Sequence, residues 1–195
     1  MCGIAGILSF KASVEEHSIR KMTDVLVHRS PDGEGIWRSE NGRVSLGHRR
    51  LTIIDLTDNG RQPMQYADGR YSITFNGEVY NYIELKQGLI SKGYRFVSTS
   101  DTEVLLALYD LKKDKCLEEL DGMFAFAIWD KQEQTLFCAR DRFGEKPFYY
   151  FCDSNYFAFA SEMKSLFALG IKRNPERKKI FNSEIIFGKV KTEMK

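Results

Sequence analysis

Cys2 stands directly behind the initiating methionine, and trimming of Met1 would put a free α-amine and a thiol on one residue. That pairing is a complete nucleophile-and-base unit. An α-amine has a pKa of about 7.7–8.0 and a cysteine thiol about 8.5, so near neutral pH the amine takes the thiol proton and can return it to a leaving amine. No histidine is needed, because an N-terminal amine can activate a nucleophile on its own residue. Read alone, Met1-Cys2-Gly3 also fits an ordinary start to a buried strand. A second chemical pair is Asn76-Gly77, placed after an expected strand over Arg70–Phe75. A side-chain amide and a backbone N–H converging at a strand end can stabilise an oxyanion, and removing one such donor typically costs about 2.7–4 kcal/mol in the transition state. The same dipeptide is also the strongest two-residue hairpin signal.

The elements that must position these residues follow from periodicity. Gly3–Ser9 reads as a core strand, and Ile19, Met22 and Leu26 at three- and four-residue steps make Val14–Val27 an amphipathic helix. Turn chemistry at Arg29-Ser30-Pro31-Asp32-Gly33 ends it. Short strands are expected at Glu34–Arg38, Arg43–Arg49 and Arg70–Phe75, then helices at Tyr82–Lys92 and Thr102–Lys112, the second apolar enough for deep burial and cappable by Ser100 or Asp101. Strands return at Met123–Trp129, Thr135–Arg140, Pro147–Phe151 and Tyr156–Ala160, before a last helix over Glu162–Leu169. Strands, helices, then strands, without βαβ alternation, indicate an α+β fold with antiparallel sheets.

Composition narrows the function classes. The chain has 195 residues, 43% of them apolar, which suits one domain with a real core. Residues 172–195 hold eight Lys/Arg and three Glu, so the body over 1–171 is mildly acidic and the tail basic, as a solvated linker would be. The acidic body argues against nucleic-acid binding, and no apolar run approaches the roughly 20 residues that span a bilayer. Cys2, Cys116, Cys138 and Cys152 lack the pairing of a zinc site or disulfide scaffold and read as reduced thiols of a cytoplasmic protein; Cys138 and Cys152 fall on expected core strands and should be inert. His17, His28 and His48 show no metal-ligand spacing, so no metal site is expected.

Several blocks, in order, resemble the class II glutamine amidotransferase domain. They are Met1-Cys2-Gly3-Ile4-Ala5-Gly6-Ile7, His28-Arg29-Ser30-Pro31-Asp32-Gly33, Leu46-Gly47-His48-Arg49-Arg50-Leu51-Thr52-Ile53-Ile54-Asp55, Asn76-Gly77-Glu78-Val79-Tyr80-Asn81 and Ser100-Asp101-Thr102-Glu103, with the stretch from Leu120-Asp121-Gly122 to Arg140-Asp141-Arg142-Phe143-Gly144. With Ala160-Ser161-Glu162-Met163-Lys164, they are most similar to the glutamine-hydrolysing asparagine synthetases. The resemblance implies an Ntn-hydrolase-type four-layer αββα sandwich over residues 1–171. It implies Cys2 as nucleophile and Asn76 and Gly77 as oxyanion donors. L-glutamine would be held by Arg50 on its α-carboxylate, by backbone around Leu51, Ile53 and Ile54, and by Glu78 and Asp101 on its α-ammonium. An arginine fork suits a carboxylate. Since strand side chains alternate, only one of Arg49 and Arg50 need face the ligand. Asp101 is equally able to cap the helix that follows.

Two departures qualify that reading. Ser30 stands where the family usually has glycine, and a positive φ there would strain a serine by about 1 kcal/mol or more. No Gly-rich phosphate loop occurs after Lys164, so residues 172–195 read as a basic linker or the truncated start of an ATP-dependent synthetase domain that the chain lacks. The expected function is the glutaminase half of an asparagine synthetase-like enzyme, releasing ammonia for asparagine synthesis from aspartate by a separate synthetase domain or subunit, where ATP and Mg would act. No cofactor is expected in this chain, and a homodimer is compatible with the reading. Two other functions stay open: a non-catalytic glutamine-sensing or assembly domain, and an N-terminal-nucleophile hydrolase of another amide, against which the opposite charges of Arg50 and Asp101 argue.

Overall fold

A computed structural model describes residues 1–51, 58–171, 180–181 and 187–191. One sheet has the order β10-β8-β9-β1-β3-β2, formed by Ile180–Phe181, Tyr149–Cys152, Tyr156–Ala160, Gly3–Ser9, Val44–Arg50 and Gly33–Arg38. The other has the order β11-β7-β6-β5-β4, from Phe187–Lys191, Thr135–Arg140, Gly122–Asp130, Tyr71–Val79 and Met64–Tyr66. Every described pairing is antiparallel.

Alternation of side chains explains the layering. On β1, Ile4 and Leu8 point one way, into a core shared with Ala125, Ala127 and Trp129 of β6; Ala5 and Ile7 point the other way, against helix α1 (Glu16–Asp24) and helix α4 (Met163–Ala168). On β6, Phe124, Phe126 and Ile128 face helices α2 (Tyr82–Ile90) and α3 (Asp101–Lys112). Three apolar cores thus separate four layers, helix, sheet, sheet, helix, as the αββα expectation requires. β6 is buried on both faces, which is why its sequence is a continuous apolar run. Close packing also fixes Gly6, where an added Cβ would lie 2.2 Å from the Phe159 ring.

Most expected elements appear within a residue or two. Thr135–Arg140 and Tyr156–Ala160 coincide with their strands, and Ser100 caps α3 by accepting from the Thr102 N–H at 3.2 Å. The amphipathic helix is shorter than its periodicity suggests: α1 ends at Asp24, and Leu26, buried like Ile19 and Met22, belongs to the link into a 3-10 turn over Val27–Arg29. Two corrections matter for the site. Asn76-Gly77 is neither a hairpin turn nor a strand end, because β5 runs on to Val79 in register with β6 (Asn76 opposite Ala125, Gly77 opposite Phe124). Ser30 is not strained, since its φ of −161° and ψ of 105° are extended backbone open to any residue.

Sequence patterning missed β4 and the strands of the basic tail. Ile180–Phe181 pairs with Tyr150–Phe151, and Phe187–Lys191 pairs with Thr135–Ala139, so parts of the segment read as linker extend both sheets. Cys138 is buried as expected, but Cys152 is exposed; it is the last residue of β8, at the turn into Asp153, where the strand leaves the core.

Candidate active site

The N-terminus of β1 and the C-terminus of β3 run side by side, with Gly3 opposite Arg49. This register brings Cys2 beside Leu51, whose backbone N–H donates to the Cys2 sulfur at 3.3 Å. Arg29 clamps Cys2 from the other side, donating from Nε to the Cys2 carbonyl at 3.0 Å and from Nη1 to Glu162 at 3.0 Å. Glu162 also meets His28 and Lys164; partial burial pushes its carboxyl up, but the hydrogen bonds from Arg29, Lys164 and His28 outweigh that and hold it below the usual range. Two family-like blocks far apart in sequence, His28-Arg29 and Glu162, therefore act together on one backbone carbonyl.

Cys2, Arg50, Leu51, Gly77, Glu78 and Asp101 line one cleft, which His48 and Gln62 share. Asn76 is buried beside it, and its side-chain Nδ2 has no hydrogen-bond partner. A buried unpaired donor is costly in a folded protein and is a reason to look for a ligand. The direction of the Gly77 N–H follows from strand geometry. Along β5 the N–H groups of Phe75 and Val79 point away from β6, to Gln62 Oε1 at 2.6 Å and to Asp101 Oδ2 at 3.0 Å. Gly77 shares their parity, so its N–H is directed to the same open side, between these two contacts. Residue 77 must be glycine for another reason too: a Cβ would lie 2.3 Å from the Met123 carbonyl oxygen and 2.7 Å from the Phe124 Cα.

The two arginines of β3 separate as alternation requires. Arg49 turns to α1 and its neighbours, donating to Thr23 O at 3.1 Å and pairing with Asp24 at 2.7 Å and Glu34 at 2.9 Å. Arg50 turns into the cleft. Asp101, in the same cleft, is the first residue of α3 and is 4% exposed. Burial raises its pKa, the Val79 and Thr102 N–H groups oppose the rise, and the nearby Glu78 adds to it. The capping role falls to Ser100, leaving Asp101 to face the cleft. Ile53 and Ile54 lie outside the described residues.

Electrostatics around Cys2 pull two ways. Burial pushes the thiol above its ordinary pKa, while the Leu51 N–H, the N-terminal ammonium, Arg50 and Lys146 pull it down. The net direction is upward, so the resting sulfur is a thiol that needs a base to activate it. His48 is not that base: its Nε2 lies 3.1 Å from the Phe75 carbonyl, which requires a proton on that nitrogen, and burial pushes its pKa down to about 4. It is a neutral tie between the sheets, reinforced by the Thr74 hydroxyl donating to Gly47 O at 3.0 Å.

Sequence reading missed Gln62, which links β5 to α3 through Phe75 and Thr102, and Lys146, whose ammonium is buried close to Cys2. Neither carries a signal in sequence, since each is a polar residue in a loop whose burial depends on the tertiary fold. No group of three or more His, Cys, Asp or Glu able to hold a metal occurs among the described residues, and no described helix is long and apolar enough to cross a membrane. A surface depression of about 760 Å³ between β4 and the loop after α2 contains no thiol and shares no residue with the Cys2 cleft.

A family model described as a glutamine amidotransferase domain matches residues 1–192. Asparagine synthetase [glutamine-hydrolyzing] 1 of Bacillus subtilis (strain 168) is 48% identical over 170 residues, covering 85% of this chain and 26% of that protein. Asparagine synthetase [glutamine-hydrolyzing] 3 of the same organism is 43% identical over 172 residues, covering 86% and 28%. The chain thus spans about a quarter of the length of these relatives. Among solved structures, glutamine phosphoribosylpyrophosphate amidotransferase from B. subtilis superposes with a TM-score of 0.76 over 100% of this chain and 50% of that one, at 22% identity, a likeness of fold. The chain therefore belongs to the class II glutamine amidotransferase family, with its sequence likeness lying toward the glutamine-hydrolysing asparagine synthetases.

Proposed function

We propose that this chain hydrolyses L-glutamine to glutamate and ammonia, with Cys2 as nucleophile once Met1 is removed. The α-amine takes the thiol proton as sulfur attacks the side-chain amide carbon, and the carbonyl π electrons move onto oxygen. Asn76 Nδ2 and the Gly77 N–H donate to that oxyanion. Collapse expels the amide nitrogen, which leaves as ammonia with the proton carried by the α-amine. Water then attacks the glutamyl thioester, giving its proton to the amine, and the sulfur leaves to regain a proton as glutamate departs. Arg50 pairs with the substrate α-carboxylate, and Asp101 and Glu78 pair with its α-ammonium. Leu51, with Ile53 and Ile54, supplies backbone along the same pocket.

One observation carries this reading: a thiol held at 3.3 Å by Leu51 and an open-side N–H at Gly77 meet in a cleft with opposite charges at Arg50 and Asp101, and the unpartnered buried amide nitrogen of Asn76 stands one residue before Gly77. The fate of the ammonia is proposed from the relatives. By name these are glutamine-hydrolysing asparagine synthetases, and a chain spanning about a quarter of their length would supply ammonia to a synthetase domain or subunit that uses ATP and Mg to make asparagine from aspartate. The amidotransferase step itself draws on no cofactor.

The test is release of ammonia and glutamate from glutamine by purified protein and by Cys2→Ala, with intact mass establishing the loss of Met1. Turnover in the first and none in the second supports the proposal. Equal rates overturn it, and tight glutamine binding without turnover marks a glutamine sensor instead.

A further inference from the structure

We propose that Ser30 is a positioning residue for the α-amino group of Cys2, an inference that rests on the Cys2 reading above. With Met1 in place, Ser30 is fully buried and its hydroxyl donates to the Met1 carbonyl oxygen at 2.9 Å. The carbon of that carbonyl is bonded to the Cys2 nitrogen. Hydrolysis of the Met1–Cys2 bond removes the carbonyl and leaves an amine at its edge, facing the same hydroxyl.

Hydrogen bonds to neighbouring groups hold the backbone of both partners in place. Ser30 follows the 3-10 turn in extended backbone and is held there by its N–H bond to Val27 O at 3.1 Å. The carbonyl of Cys2 is fixed by Arg29 Nε and its sulfur by the Leu51 N–H, neither of which depends on Met1. The charged groups around this point are the Arg29–Glu162 pair, Arg50, and Lys146, whose Nζ lies 3.7 Å from the Met1 sulfur. Lys146 and Arg50 disfavour an ammonium, and the Ser30 oxygen is the neutral acceptor that favours one. It therefore receives an N–H when the amine has taken the thiol proton, and it keeps the amine lone pair turned to sulfur beforehand. Glycine at position 30 could do neither, so the serine that departs from the family turn is a functional replacement.

Wild type, Ser30→Ala and Ser30→Thr are released from an N-terminal fusion by a protease that leaves Cys2 first, so that processing does not depend on residue 30. In protein labelled with [15N]cysteine, the α-amine titration in Ser30→Ala should move down by about 0.5–1 pH unit, because a hydrogen bond to the ammonium is lost. The acid limb of kcat should move with it, and kcat should fall about three- to tenfold with KM unchanged. Ser30→Thr, which keeps the hydroxyl, should restore the titration. An Ser30→Ala titration superimposable on wild type overturns the proposal. Absence of ammonia release by wild type would instead refute the Cys2 function, while the titration still decides whether Ser30 touches the amine.

Discussion

Replacing Asn76 by leucine separates the cost of a functional group from its benefit. Asn76 is 2% exposed on the inter-sheet face of β5, and its Nδ2 has no partner. A buried donor left unsatisfied destabilises a fold by about 1–3 kcal/mol. Leucine keeps the approximate volume and removes the donor, so the variant should be as stable as wild type or more stable by about 1 kcal/mol, which for a chain of this size raises Tm by about 2–4 °C. Turnover should move the other way. Loss of one oxyanion donor costs about 2.7–4 kcal/mol of transition-state stabilisation, or a fall in kcat of about 10²–10³, with KM for glutamine little changed. The assay is steady-state ammonia release alongside thermal melting of the same preparations. Retention of kcat within about threefold would refute the oxyanion role. A fall in Tm of many degrees would show that Nδ2 serves the fold.

Other substitutions probe the neighbouring groups. Gly77→Ala drives a Cβ against the Met123 carbonyl, and because backbone cannot swing aside the variant should lose about 1–3 kcal/mol in denaturant unfolding as well as activity. Asp101→Asn keeps an acceptor for the Val79 N–H but removes the charge, so KM for glutamine should rise about 10- to 100-fold in a folded protein. For His48 the folded pKa of about 4 lies below the ordinary 6.5, so the unfolded chain binds the extra proton; its contribution makes stability fall as pH drops from about 6.5 to about 4, by about 3 kcal/mol in all. Urea midpoints measured across that range should decline less steeply in His48→Gln.

The fold was largely legible because its strands and helices carry clean periodicities. The apolar run at Met123–Trp129 and the alternation that sends Arg49 and Arg50 to opposite faces both read directly from the chain, while the choice of Arg50 for the cleft came by resemblance. Asn76-Gly77 shows where local reasoning fails. Its turn propensity is overridden by pairing with β6 along nine residues, and the glycine is required by the close approach of Met123 and Phe124. The strands at 180–181 and 187–191 lie in a charge-rich tail and owe their pairing to exposed edges of β8 and β7, a tertiary property. Site residues within family-like blocks were legible by resemblance. Gln62 and Lys146 were not, because their roles arise from burial beside Cys2 and not from their neighbours in sequence.

The central claim is that sulfur of Cys2 carries the glutamyl group. Acid-quenching the processed protein during turnover of glutamine and mapping it by peptide mass spectrometry tests this directly. The account predicts one glutamyl thioester, on the N-terminal Cys2 peptide, that disappears in Cys2→Ala and decays to free glutamate in unquenched samples. A glutamyl adduct on another residue, or ammonia release from a chain whose Cys2 stays unmodified under saturating glutamine and is still preceded by Met1, would contradict it.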